Sequence, residues 1–323
     1  MKVTKWDGKP ISKPGWYSDI PIEKYHSAGM CDGPAVSSSN LRTCWSKSPK
    51  HMFAQWAENP DREERDATKA MILGAVSHHL ILGEEGFKEK YVAQPESYRD
   101  VKTAEWKKWT YQANTCKDWR AKQEKLGLTI VSVKELDGIV AMAKSLALEP
   151  LVNEGLLRGR VETSGFWRDQ QTGLWIKVRP DVIPITDADF VDLKTASDVT
   201  TVALQYTMRT YGYPQQGALI WEACEALGQP FTSFVLMFVE TSNPWCSRTV
   251  QVDDEDLSWG RQQNRWALRK IRGCIDTGHW PGPGEGELRP LRISNDERER
   301  IKARLKAEGL LHEDTTTNSR RHA

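Results

Sequence analysis

The sequence predicts an α/β (α+β) fold, with helices flanking a run of strands, and three observations carry that prediction. In the first half apolar residues recur at helical spacing, as at Ile72, Leu73, Val76 and Leu80. From Val161 the period drops to two, through residues 161–167 and 174–178, as in half-buried strands. Residues 231–240 are then almost continuously apolar, the pattern of a strand buried on both faces.

The elements follow in order. Residues 1–40 are rich in Pro, Gly and Ser and read as an ordered but irregular arm. Ser37-Ser38-Ser39 supplies an N-cap for a helix from about Asn40, with Leu41 and Trp45 on its buried side. Ser48-Pro49 ends or kinks it, and a further turn carries Met52, Phe53 and Trp56 to the core. The charged run 61–65 reads as an exposed loop or first turn. A second helix covers about 68–82, with Gly74 allowing close backbone approach. Its His78 and His79 are adjacent and point in different directions; a lone helical histidine is more often a satisfied core or surface group than a ligand. Residues 100–150 read as two helices, the first marked by Trp106, Trp109, Ala113 and Cys116, the second spanning 133–148. Strands 161–167 and 174–178 surround a turn at 169–173 and lead into a hairpin, giving an antiparallel meander. Helices follow residue 195 and start again at Tyr211-Gly212-Tyr213-Pro214. The strand 231–240, a shorter partner at 249–252 and a long helix at about 254–275 complete the core. That helix carries acids at its start and bases towards its end, as its dipole favours. Residues 296–308 read as a solvated helix, and the last ten or so as disordered.

The totals narrow the function. With 323 residues the chain can build one large domain or two small ones. A net charge of +1 means that any nucleic-acid contact must use a local basic surface. Six scattered cysteines with no C-x-x-C pair speak against a zinc ribbon, an iron–sulfur cluster or a disulfide framework. No apolar leader and no run of 18 apolar residues occurs, so a cytoplasmic protein without membrane contact is expected.

The chemistry concentrates in residues 179–194, Arg-Pro-Asp-Val-Ile-Pro-Ile-Thr-Asp-Ala-Asp-Phe-Val-Asp-Leu-Lys. Two apolar runs flank Thr186-Asp187-Ala188-Asp189, which reads as a hairpin loop. If Ile185 pairs with Phe190, Asp181 lies opposite Lys194 and Ile183 opposite Asp192. Asp181, Asp192 and Lys194 then share one face of the sheet. Two carboxylates and an ammonium suit a divalent metal with an activated water. An acid two residues before a lysine is also common in a charged chain. Glu105-Trp106-Lys107 is another case, in a stretch that reads as helix, so a solvated strand face is the competing reading.

The whole order resembles the PD-(D/E)xK nuclease superfamily, specifically the exonuclease VIII (RecE-type) phage recombination nucleases. The resemblance rests on Tyr25-His26, Ser38-Ser39-Asn40-Leu41, Ser48-Pro49-Lys50-His51, Gly74-Ala75-Val76-Ser77-His78, Thr172-Gly173 with Arg179-Pro180-Asp181, Val191-Asp192-Leu193-Lys194-Thr195, Tyr211 to Gln216, and Trp280-Pro281-Gly282. It covers about residues 20–290. It implies a central mixed sheet flanked by helices. It also implies a division into an N-terminal arm and helix (1–67), a nuclease core (68–290) and a charged tail (291–323).

By the same resemblance, Asp181, Asp192, the Leu193 carbonyl and His78 bind Mg²⁺ or Mn²⁺, the imidazole favouring tolerance of Mn²⁺. Lys194 orients or deprotonates the attacking water and stabilises the developing charge, while Gln216 positions water or substrate. Glu162 is either a further metal ligand or an exposed strand carboxylate. The family often has a tyrosine where Ile220 stands, four residues after the glutamine. The activity implied is hydrolysis of duplex DNA from its ends, 5′ to 3′, in phage-type recombination inside a bacterial host cell. The partners implied are double-stranded DNA ends, further copies of the chain in a ring and a single-strand annealing protein. A structure-specific endonuclease and a non-catalytic DNA-end-binding scaffold are the alternatives.

Overall fold

The computed structural model describes residues 2–63, 67–83, 86–185, 188–286, 288 and 290–310. The chain opens with β1 (Val3–Lys5), β2 (Gly15–Ser18), the single turn α1 (Ile22–Tyr25) and β3 (Ala35–Ser37). Helices α2 (Ser38–Ser46), α3 (Pro49–Phe53) and α4 (Lys69–Ile81) follow. A small module then comprises α5 (Phe87–Lys90), β4 (Tyr91–Ala93), β5 (Ser97–Arg99), β6 (Trp106–Lys108), α6 (Asn114–Lys125) and β7 (Thr129–Val131). After α7 (Val133–Leu146) and α8 (Pro150–Asn153) come β8 (Gly159–Val161), β9 (Ser164–Arg168), β10 (Trp175–Val178), β11 (Val182–Pro184) and β12 (Asp189–Ala196). The core closes with α9 (Thr201–Tyr211), α10 (Tyr213–Leu227), β13 (Ser233–Glu240), β14 (Ser247–Gln251) and α11 (Asp254–Thr277). Residues 1–281 form one compact unit and 282–323 another; the second holds α12 (Asn295–Ala307), with Ser294 as its N-cap. Among the described residues no helix is long and apolar enough to cross a membrane.

Two five-stranded mixed sheets organise the core unit, in the orders β1-β2-β9-β10-β3 and β14-β13-β12-β11-β8. The apolar run 231–240 becomes β13, buried along seven of its eight residues and lying parallel to β12. Its alternating side chains serve two cores. Phe234, Leu236 and Phe238 face Leu219 and Ala223 of α10 and Leu268 and Ile271 of α11. Val235, Met237 and Val239 face Val76 of α4 and Ile139 and Met142 of α7. Helices therefore cover both faces of this sheet, as its two-sided burial requires.

Local chemistry sets the helix ends. Ser132 and Glu135 form a reciprocal capping box at α7, and Ser37 with Asn40 does the same at α2. Gly212, at φ +63°, ends α9 and starts α10 in a left-handed conformation that a side chain resists. At the α10–α11 crossing Gly260 lets the helices approach closely: a Cβ there would lie 2.5 Å from the Pro214 carbonyl oxygen.

Several expectations change. The irregular arm contributes three strands, with β2 on β9 and β3 on β10. Trp45 is 44% exposed, packing edge-on to Trp266, and Leu80 is 39% exposed. Residues 161–167 are not one strand: Glu162 takes φ +53°, which breaks the ladder and sends β8 and β9 into different sheets. The meander is thus split, β9–β10 in one sheet and β11–β12 in the other. Residues 106–108 are strand rather than helix, and the helix starts only at Asn114. The expected loop at Thr186-Asp187 and the last residues, expected to be disordered, lie outside the described residues, as does part of the charged run 61–65.

Candidate active site

Pro180 and Asp181 lie where the chain leaves β10 in one sheet and enters β11 in the other. The hairpin register differs from the expected one by two residues: Val182, not Pro184, pairs with Val191. The reason is local. Ile183 is fully buried whereas Ile185 is 69% exposed and outside the strand, so the apolar pairing ends earlier than the sequence suggests. Continuing the observed register sets Asp181 opposite Asp192 rather than opposite Lys194. A two-residue shift preserves the face of every side chain, so the three charged groups still converge.

Their contacts are specific. The Leu193 N–H donates to Asp181 Oδ2 at 2.8 Å, across the strand pair. The Lys194 ammonium forms an ion pair with Asp192 Oδ2, and the Gln216 amide donates to Asp192 Oδ1 at 2.7 Å. Pro214 lies in the first turn of α10, two residues before Gln216, and Gly212 turns the chain so that Gln216 faces β12. His78, in the last turn of α4, brings Nδ1 within 3.4 Å of Asp181 Oδ2. Lys194 also lies over the Tyr213 ring, 5.4 Å from its centroid.

Burial and like charge shape the electrostatics. Burial raises the Asp181 carboxyl above the ordinary carboxylate range, and Asp192 raises it further, against the opposing pull of His78, Lys194 and the Leu193 N–H. Burial by itself would lower the Lys194 ammonium, but Asp192 and Asp181 outweigh it and hold the pKa above normal. Lys194 is therefore a protonated cation in this arrangement, better suited to stabilising negative charge than to removing a proton.

Asp181, His78 and Gln216 line a cleft of about 770 Å³, together with Gly74, Arg42 and Arg179. Ile220 lines it as well and is 3% exposed, so an apolar wall stands where a tyrosine was expected from the resemblance. Glu162 reaches the same cleft, but its Oε1 pairs with Lys90 Nζ at 3.7 Å. Among the described residues no three His, Cys, Asp or Glu side chains converge as a metal cluster; Asp192 is engaged by Lys194 and Gln216 instead. The donor chemistry nonetheless suits a hard dication. Two carboxylates face each other, one of them destabilised as an anion by burial and by its neighbour, with an imidazole beside it.

Two cleft residues had no role assigned from sequence. Arg179 donates to Ser164 Oγ at 2.9 Å and to the Ile20 carbonyl, and packs over Tyr25 at 5.1 Å. It braces the segment that delivers Asp181. Arg42 donates to the Tyr211 carbonyl at 2.6 Å; burial lowers its pKa while Asp192 supports its charge. The signal for Arg179 was its place in Arg179-Pro180-Asp181. For Arg42 there was none, because a helical arginine is ordinarily a surface residue.

The family described as "PDDEXK-like domain of unknown function" (DUF3799) matches residues 37–288. The crystal structure of a "putative exonuclease" from Eubacterium rectale is similar, with a TM-score of 0.54 over 87% of this chain and 98% of that one, at 12% identity. At that identity the likeness speaks for the fold. No curated protein matches the sequence.

Proposed function

The chain belongs to the PDDEXK-like family DUF3799, and from that membership we propose that it is a metal-dependent nuclease acting on DNA. The observation that carries the proposal is the set of contacts joining Asp181, Asp192, Lys194 and Gln216 at the seam between two sheets. In this reading Asp181, Asp192, the Leu193 carbonyl and His78 would hold Mg²⁺ or Mn²⁺, which supplies Lewis acidity and a more acidic water when bound.

The chain's own side chains do the rest. Lys194, kept protonated by two carboxylates, stabilises negative charge that develops on the phosphoryl oxygens. Gln216 leaves Asp192 to orient the attacking water or the substrate backbone by hydrogen bonding. Arg42 and Arg179 place fixed positive charge along the cleft, where a phosphodiester backbone would lie. Glu162 remains an additional ligand if Lys90 releases it.

More finely, we assign the chain to the RecE-type recombination nucleases, degrading duplex DNA from its ends, 5′ to 3′, as a ring that hands a single strand to an annealing protein. The motifs at Tyr25-His26, Gly74 to His78 and Tyr211 to Gln216 support this assignment. The division into arm, core and tail at residues 67 and 290 belongs to the same assignment.

The test is digestion of end-labelled linear duplex and of a covalently closed circle, with Mg²⁺ or Mn²⁺ and with chelator. Metal-dependent release of nucleotides from the linear DNA alone is expected. Cleavage of the circle would replace the exonuclease with an endonuclease, and no release under either metal would leave a DNA-binding scaffold.

A further inference from the structure

Glu105-Trp106-Lys107, a chemically suggestive triplet with no place in the catalytic site, lies on an exposed hairpin. β5 and β6 pair only with each other, antiparallel, with Arg99 opposite Trp106 and Ser97 opposite Lys108. Cross-strand partners share a face, so Arg99, Trp106 and Lys108 project together while Tyr98 and Lys107 point the other way. The outward face is bare: Trp106 is 72% exposed. An indole left in water on a two-stranded ribbon contributes nothing to a core.

The hairpin is built to hold its shape. At its tip Asp100 accepts from the backbone N–H groups of Lys102 and Thr103, and its other oxygen binds Lys107 at 2.6 Å. Arg99 Nε donates to the Ala104 carbonyl, which ties that guanidinium to the turn leading into Trp106. Lys102 and Lys108 have no ion-pair partner among the described residues. The module from 86 to 131 holds ten Lys and Arg against six Asp and Glu, in a chain that balances 45 against 44. It also walls the cleft of the active site, through Lys90, Tyr91 and Thr129.

We propose that this hairpin is a single-strand binding arm: Trp106 stacks on an unpaired base while Arg99, Lys102 and Lys108 neutralise the adjoining phosphates. An exposed aromatic between cations is what sequence-tolerant single-strand binding uses. A duplex hides its base faces, so an arm of this kind, on a module that walls a nuclease cleft, selects the frayed or unpaired end of a strand. The inference rests on the DNA-nuclease reading above.

The experiment measures anisotropy of a short labelled oligo(dT) and of a labelled blunt duplex, in chelator so that nothing is cleaved. Wild type, Trp106→Ala, Trp106→Phe and the double variant Lys102→Ala/Lys108→Ala are compared, with circular dichroism confirming that each is folded. Trp106→Ala should weaken oligo(dT) binding roughly ten-fold or more while changing duplex binding far less. Trp106→Phe should keep most of the affinity, and the lysine variant should flatten the salt dependence by roughly 0.7 for each phosphate that is no longer neutralised. Unchanged oligo(dT) affinity in Trp106→Ala, an equal loss for duplex, or a Phe variant as weak as Ala would overturn the arm alone. Wild type that binds neither DNA would overturn the nuclease reading with it.

Discussion

Glu222 gives a stability prediction whose size follows from its surroundings. It lies where α10 meets α11, its side chain 11% exposed and its Oε1 3.6 Å from Arg261 Nε. Burial raises its carboxyl to about 7, with Arg261 and Arg265 pulling the other way and Asp169 and Glu225 adding to the rise. A free glutamate titrates near 4.5. Between these values the folded protein keeps a proton that the unfolded chain has released, so stability falls as pH rises through this window and levels off above about 7. The gap is two to three pH units, and at ~1.4 kcal/mol per unit the full loss is on the order of 3 kcal/mol. Glu222→Gln keeps the shape and removes the titration. Measured by urea denaturation, the variant should gain roughly 2–3 kcal/mol on wild type between pH 5 and pH 8. A difference that stays constant with pH, or that turns against the variant at high pH, would show that the arginines hold Glu222 as a carboxylate and would refute the argument.

Three further predictions concern how the site is held. Gln216→Ala removes the donor to Asp192 Oδ1, and single-turnover cleavage should fall by roughly ten- to a hundred-fold, ~1–3 kcal/mol, with little change in DNA affinity. Gly260→Ala forces a Cβ against the backbone of Pro214 and Gln215, and thermal denaturation should show a loss of roughly 1–3 kcal/mol. His78→Ala withdraws the imidazole beside Asp181, so the metal concentration for half-maximal cleavage should rise, more for Mn²⁺ than for Mg²⁺.

Much of this architecture was legible because it rests on local signals. The almost continuous apolar run at 231–240 reads as a strand covered on both sides, and β13 is that strand. Ser37 and the Gly212-Tyr213-Pro214 step marked helix starts through capping and φ, which depend on a few neighbouring residues. The convergence of Asp181, Asp192 and Lys194 survived an error in register because a shift of two leaves the faces unchanged.

What was missed depends on tertiary context. Nothing local announces that Glu162 adopts a left-handed conformation, and that one residue divides a continuous-looking strand between two sheets. Trp106 and Trp109 stand at helical spacing, and only the turn held by Asp100 decides for the hairpin. The N-terminal strands are short, and β2 and β3 pair with β9 and β10, residues more than a hundred positions away, so composition alone suggested an arm. Arg42 reaches the cleft because α2 packs beside α10, which its own sequence does not encode.

The most direct test of the central claim is the single-turnover rate of DNA cleavage by Lys194→Ala, with DNA binding measured alongside. Loss of an ammonium placed to stabilise the transition state should slow cleavage by a factor on the order of 10²–10³ while DNA still binds. Cleavage at the wild-type rate would mean that the Asp181–Asp192–Lys194 site is not where the chemistry happens.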